Sequence, residues 1–145
     1  QAVFGAQIKL KPVLSWKAVI GEIKKVAKGE RIGYDFTEIL PKTTTVAIIP
    51  IGYWHGFPRS LSSIGRVLIK GKPAKVLGRV SMDMITVDVS GIKNIRIKDE
   101  AIIIGSSATP TGKNEITADE IARYADTTNY EIITRLNPLI KRILI

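Results

Sequence analysis

The residues able to do chemistry in this chain are tyrosines and arginines. Tyr34 lies in "KGERIGYDF", Tyr53 in "IGYWHG" and Tyr130 in "TTNYE", while Arg59 follows in "GFPRS" and Arg79 in "GRVSMD". A phenol has an unperturbed pKa of about 10, so it takes a proton at neutral pH only where neighbours or a bound substrate stabilise its anion. Arginine, charged throughout the physiological range, is the natural fixed cation for that task. A structural role stands beside the chemical one, because a glycine-flanked tyrosine in a β-domain also serves as a half-buried strand residue with its hydroxyl at the rim.

Other chemistries drop out. The chain has a single histidine, His55, no cysteine and no clustered carboxylates. That removes thiol catalysis and disulfides and leaves no zinc or two-metal site. No glycine loop of the phosphate-cradling kind precedes a helix, and there is no Gly-x-Ser-x-Gly elbow. A serine triad would need His55 as base with nothing to mark its partners, so His55 reads as a loop residue. In "SMDM", residues 81–84, Met82 and Met84 read as flexible apolar filler on one face of a strand and Asp83 as a solvated turn charge.

Short strands and turns must position these side chains. In "VLSWKAVIGEIKKV" the set Leu14, Trp16, Ala18 and Ile20 faces one way and Lys17, Val19, Gly21 and Ile23 the other, the alternation of a half-buried strand. Similar runs follow at 44–51, 65–70, 73–80, 84–89 and 101–104, bounded by "KGE", "GK", "SGIKN" and "SSATPTGKN". The pattern predicts a mainly β fold, a small β-barrel or sandwich-like domain, with one short helix near the C-terminus. That helix is "TADEIARYAD": Thr117 and Glu120 make a capping box, Ile116 and Ile121 a hydrophobic staple, and Ala118, Ile121, Ala122 and Ala125 an apolar face. After Pro138, "LIKRILI" reads as a last, paired strand.

Bulk properties set the frame. The 145 residues, 45% of them hydrophobic, are enough for one domain with a core of its own. No apolar run approaches the roughly 18 residues of a membrane span. Together with the lack of cysteine, this predicts a cytoplasmic protein with no membrane partner. The first residue is Gln1, and "QAVFGAQIKLKP" has neither a basic n-region nor an apolar h-region, so the chain reads as a piece of something longer. A net charge of +9 would favour polyanions or acidic small molecules. The lysines are dispersed through "KLKP", "KKVAK", "IKGKPAK", "IKNIRIK" and "IKRILI", which reads as a solvated surface.

The order of the segments adds a family. "LKPVLSWKAVIGEIKKVAKGERIGYDFTEILPKTTTVAIIPIGYWHGFPRSLS", then "VLIKGKPAKVLGRVSMDMITVDVS", then "TADEIARYADTTNYEIITRLNPLIKRI" resembles the C-terminal β-domain of alanine racemase, from about residue 9 to residue 143. The resemblance implies a single domain over 1–145, in which 1–8 is a leader from the junction with a missing barrel and 9–143 the β-domain. Isomerases of this family pair a (β/α)8 barrel carrying pyridoxal 5'-phosphate with such a domain, act as head-to-tail homodimers, and interconvert L- and D-alanine, a peptidoglycan precursor. The cofactor forms a Schiff base with the amino acid and spreads the charge of the Cα carbanion into its ring. Inversion then needs a proton acceptor on one face and a donor on the other. One base is a barrel lysine that also carries the cofactor and is not in this chain. The other is a tyrosine, matched here by Tyr34 in "RIGYDFT", the base for the L-enantiomer.

The resemblance assigns further roles. Met82 matches the residue whose backbone touches the substrate near its carboxylate, contributed, like the tyrosine, to the partner subunit's site. Tyr53 matches the tyrosine that narrows the access channel, and Arg59 and Arg79 the arginines of its outer layer. Tyr130 matches the tyrosine that approaches the cofactor phosphate. The implied partners are the N-terminal barrel, a second subunit and an amino-acid substrate, and the fragment alone is implied to be inactive. Three departures stand out: Trp54 and His55 replace a small residue and a carboxylate in the common "GYADGYPR", Ser81 stands where cysteine is frequent, and the barrel is absent. Two alternatives remain, a broad-specificity amino-acid racemase domain and a basic β-barrel binding single-stranded nucleic acid. The second rests on the charge and on the aromatics of "GYWHGF". Those aromatics crowd into one loop rather than onto adjacent strands, so no nucleic-acid partner is expected.

Overall fold

The computed structural model describes residues 11–144. The leader expected at 1–8 and the boundary at residue 9 lie outside the described residues. The alternation at 14–20 appears as burial: Trp16 and Ile20 are buried, Leu14 and Ala18 half-buried, and Lys17 and Val19 exposed. The single strand expected there is two strands, β1 (Trp16–Val19) and β2 (Glu22–Val26). At the break the Ile20 amide donates to Asp99 O (3.0 Å) and the Gly21 amide to Ile48 O (2.9 Å), so the chain turns a corner from one sheet into the other.

The remaining strands are β3 (Arg31–Ile32), β4 (Glu38–Ile39), β5 (Thr44–Ile49), β6 (Arg66–Ile69), β7 (Lys72–Lys75), β8 (Ile85–Asp88), β9 (Glu100–Thr109) and β10 (Gly112–Ile116). One sheet runs β1-β9-β6-β7 with β10 also paired to β9, and a second runs β2-β5-β8. A bridge between Val76 and Val87 links them into a curled β architecture, as expected, and β3-β4 forms a separate ribbon. Central β5 pairs on both sides and is buried at Thr44, Val46, Ala47 and Ile49. The main core gathers Ile20, Val67, Ile69, Ile85, Val87 and Ile103 with Phe57, whose ring lies 6.5 Å from that of Trp16. Each such buried side chain contributes about 1.5–3 kcal/mol of transfer free energy.

Four local expectations change. The turn expected over "SSATPTGKN" is largely strand: β9 runs to Thr109 and pairs with β10 through Gly105–Ile116, a solvated ribbon whose polar residues hide its pairing from apolar periodicity. The helix is present as α1 (Ala118–Ala125), with Thr117 Oγ1 accepting from the Glu120 amide (3.1 Å) and with Ile116 and Ile121 buried as a staple would be. Only half of the capping box forms. The Glu120 carboxylate turns to β6 instead and receives Arg66 Nε (2.7 Å) and Nη2 (2.9 Å). That hydrogen bond raises the Arg66 pKa above its ordinary value, against the effect of burial.

A second helix, α2 (Asn129–Thr134), corrects the expectation of one. Its signal was present, since Thr128 accepts from the Glu131 amide (3.4 Å) in a Thr-x-x-Glu pattern of the kind that marks helix starts. The tail beyond Pro138 forms no strand through residue 144, and Leu139, Ile143 and Leu144 are exposed. Among the described residues no helix is long and apolar enough to cross a membrane.

Candidate active site

Two glycines build the first half of the site. Gly33 (φ +81°) and Gly78 (φ +68°) face each other so closely that a Cβ on Gly33 would lie 2.6 Å from the Gly78 Cα. Both the handedness and the contact exclude a side chain. The contact brings the turn after β3 against the segment that follows β7. There the Tyr34 amide donates to Arg79 O (3.1 Å). Thr37 Oγ1 donates to Tyr34 O (3.4 Å) and accepts from the Arg79 amide (3.0 Å). Arg79 Nη1 reaches Asp35 Oδ2 at 2.7 Å, and Arg31 Nη1 donates to Phe36 O at 3.3 Å. Asp35 and Phe36 are themselves left-handed, at φ 58° and 54°. Among the described residues all the bonds to Tyr34 go to its backbone, and its phenol, 57% exposed, has no partner.

The second half comes from the 3₁₀ turn at Tyr53–His55 and the turn at 81–84. A Cβ on Gly52 would lie 2.2 Å from Ser81 O, and beside it the amides of Tyr53 and Trp54 donate to Ser81 O (3.1 Å) and Met82 O (3.0 Å). Ser81 Oγ accepts from the Met84 amide (3.0 Å) and donates to Met84 O (2.9 Å), which closes the turn. Met82 and Met84 are half-exposed on it, so the expectation that they fill the core on one face of a strand fails, while Asp83 is exposed as expected. His55 is a loop residue, its Nδ1 accepting from the Gly52 amide at 3.1 Å. The Trp54 ring stands edge-on to the imidazole, 4.9 Å between centroids, and remains 47% exposed.

These pieces enclose an open concavity of about 940 Å³, whose lining includes Tyr34, Tyr53, Arg79 and Met82. Arg59 lies elsewhere, in a depression of about 470 Å³ with Asp126, Glu131 and Arg135; Tyr53 lines both and forms the ridge between them. Tyr130 sits on α2, 79% exposed, and lines neither. Lys24, Lys25 and Arg31 also line the larger concavity. The dispersed lysines read as solvated surface, and nothing in their spacing marked them for this wall. Arg79 is committed to Asp35 and Lys24 lies 4.0 Å from Glu22, while Lys25 and Arg31 form no salt bridge among the described residues, so the wall sets phenols beside cations. Among the described residues no cluster of His, Cys, Asp or Glu could hold a metal ion.

Known proteins agree with this architecture. The profile of the family "Alanine racemase, C-terminal domain" matches residues 13–144. The alanine racemase of Halothermothrix orenii is 42% identical over 135 residues, covering 93% of this chain and 35% of that protein. That of Methylacidiphilum infernorum is 41% identical over 133 residues, covering 92% and 33%. Among solved structures, the alanine racemase from Bartonella henselae with covalently bound pyridoxal phosphate superposes with a TM-score of 0.85 at 29% identity, covering 97% of this chain and 38% of that one. The enzyme from Bacillus anthracis with bound L-Ala-P gives 0.81 at 33% identity, covering 90% and 32%. The chain spans about a third of the length of the curated relatives it matches. On sequence and fold together, it belongs to the alanine racemase C-terminal domain family.

Proposed function

We propose that this chain is the part of a pyridoxal-phosphate-dependent alanine racemase that supplies a tyrosine base, Tyr34, to an active site completed by a cofactor barrel and a partner subunit. One observation carries the reading: a phenol exposed on a turn whose backbone is bonded from several sides, in the same concavity as Tyr53, Arg79 and Met82. A rigid backbone under a free side chain is what an acid–base residue needs, since proton transfer depends on placement within hydrogen-bond reach.

The residues present fit the cofactor as one wall rather than as a full cradle. Tyr130, exposed on α2, would approach its phosphate, and the attachment lysine belongs to the barrel. When bound, the cofactor acidifies the Cα–H of the amino acid by delocalising the resulting charge. Tyr34, as phenolate, takes the Cα proton of the L-enantiomer and, as phenol, returns it to the same face in the opposite direction. The Met82 carbonyl is occupied by the Trp54 amide, while its own N–H donates to no acceptor among the described residues and can receive the substrate carboxylate. Tyr53, on the ridge, narrows the channel, with Arg59 and Arg79 in its outer layer. The domain alone is expected to be inactive, and the whole enzyme to be a cytoplasmic homodimer.

Fusing the chain to the barrel of a relative such as the Halothermothrix orenii enzyme and replacing Tyr34 by Phe tests the assignment. Loss of the phenol should lower kcat about 10²–10⁴-fold, the usual contribution of a positioned acid–base group; full activity would sink the reading. The exposed Trp54, next in the chain to Tyr53, favours a second reading, a broad-specificity amino-acid racemase, which kcat/KM on alanine, serine and lysine separates from the first.

A further inference from the structure

Glu38 on β4 is a half-buried carboxylate that joins no salt bridge among the described residues. It is held instead by two neutral donors that converge on one oxygen: Oε2 accepts from the buried Gly78 amide at 2.5 Å and from Ser63 Oγ at 2.7 Å. Ser63, left-handed at φ 60°, also donates its amide to Gly78 O at 3.0 Å. Gly78 is thus gripped at both its N–H and its C=O, while its Cα presses on Gly33. The turn that carries Tyr34 is therefore clamped to the segment after β7 along its length, with Asp35 and Thr37 tied to Arg79 between its two ends. At its start are the Gly33–Gly78 contact and the Tyr34–Arg79 bond. At its end, four residues past Tyr34, is the Glu38 carboxylate.

We propose that Glu38 is a positioning residue for Tyr34: by fixing Gly78 and Ser63 it sets the tilt of the 33–37 turn and so aims the phenol into the concavity. The inference rests on the reading of Tyr34 as the base. An ionised acceptor suits the task, because charge-assisted hydrogen bonds are shorter and about twice as strong as neutral ones and one oxygen can take both donors. A glutamine could offer one carbonyl oxygen to the same pair and preserve the geometry more weakly. Alanine would leave the buried Gly78 N–H without an acceptor, and the clamp at the Glu38 end of the turn would open.

The test compares Glu38→Gln and Glu38→Ala in the barrel-fused enzyme, with Tyr34→Phe alongside. Glu38→Ala should lower kcat at least tenfold with KM changed less than twofold, and Glu38→Gln should stay within about threefold of the parent. A structural defect that only reduced the folded fraction would lower the rate from both enantiomers and leave isotope effects alone. Misaimed Tyr34 instead slows one proton transfer of two. The primary deuterium effect with Cα-deuterated L-alanine should then rise, and that with Cα-deuterated D-alanine should fall. In the chain itself, Glu38→Ala should speed amide exchange at Gly78 and Tyr34 at least tenfold while Ile103 in β9 keeps its protection. Unchanged isotope effects, or an unchanged kcat in Glu38→Ala beside an inactive Tyr34→Phe, overturn the positioning role alone. Full activity in Tyr34→Phe overturns the base assignment, and the positioning role with it.

Discussion

Two turns of this domain carry a glycine-tyrosine pair against the same neighbouring segment, and they differ in what they bury. Residues 33–37 bury none of their own side chains; the turn is gripped from outside, by the Gly33–Gly78 contact, by Thr37 and by the Asp35–Arg79 pair. Residues 52–57 are also gripped from outside, at Gly52, Tyr53 and Trp54 by the 81–82 carbonyls, but are in addition held from within, by the His55 cap on Gly52 and by Phe57, 1% exposed and packed in the core. The first arrangement fixes a backbone and leaves a phenol free. The second fixes a loop by embedding it and leaves Tyr53 as a rim, with Trp54 exposed beside it. Equal sequence motifs therefore yield one probe into the concavity and one wall beside it.

The contrast can be broken most severely at the aromatic residues. Phe57→Ala should cost about 3–5 kcal/mol and lower Tm by many degrees in thermal unfolding, because it opens a cavity under the second turn. Phe36→Ala in the first turn, where the ring is exposed, should stay within about 0.5 kcal/mol. Gly33→Ala comes next, at about 2–3 kcal/mol in chemical denaturation, since the new Cβ meets backbone and the residue is left-handed; in the fused enzyme it should also abolish racemisation. His55→Ala should cost about 1 kcal/mol, the loss of one capping bond, with His55→Asn recovering part of it. An equal loss in both would remove the capping role.

The smallest effect lies outside both turns and serves as their control. At Asp99 the amide of Arg96, and after it Lys70, hold the carboxyl below its ordinary pKa. A carboxyl depressed in the folded state stabilises above its unfolded value, about 3.9, and that stability is lost as pH falls through the folded value. The Tm difference between the parent and Asp99→Asn should be constant near neutrality and shrink only below about pH 4. A difference that vanished at pH 6 would contradict the assignment.

What the sequence revealed follows from the range of each interaction. The faces of β1 and the start of α1 were legible because alternation and the Thr117 cap are local. The β9-β10 ribbon was not, since solvated Ser, Thr and Lys residues pair through backbone bonds that leave no apolar period. Glu120 looked local and is not: its carboxylate goes to Arg66 on another strand rather than back to its own helix. The site divides the same way. Tyr34 and Tyr53 stood out by glycine flanks, but which residues share a concavity with them depends on pairings such as Tyr34 with Arg79, far apart in the chain. The role of Glu38 is of that kind as well, since its two donors are Gly78 and Ser63.

The corner at Ile20–Gly21 also has a meaning in time. On one side of it Val19 pairs with Glu100, and on the other Glu22 pairs with Ile48. Closing the nearer pairing fixes a shorter loop and carries a smaller entropy cost, so β2 should dock on β5 well before β1 finds β9. During synthesis the first strand must wait until its partner β9, which begins at residue 100 of 145, has been made. Until then its apolar face, Trp16 included, is a ready surface for chaperones or for another copy of the same nascent chain.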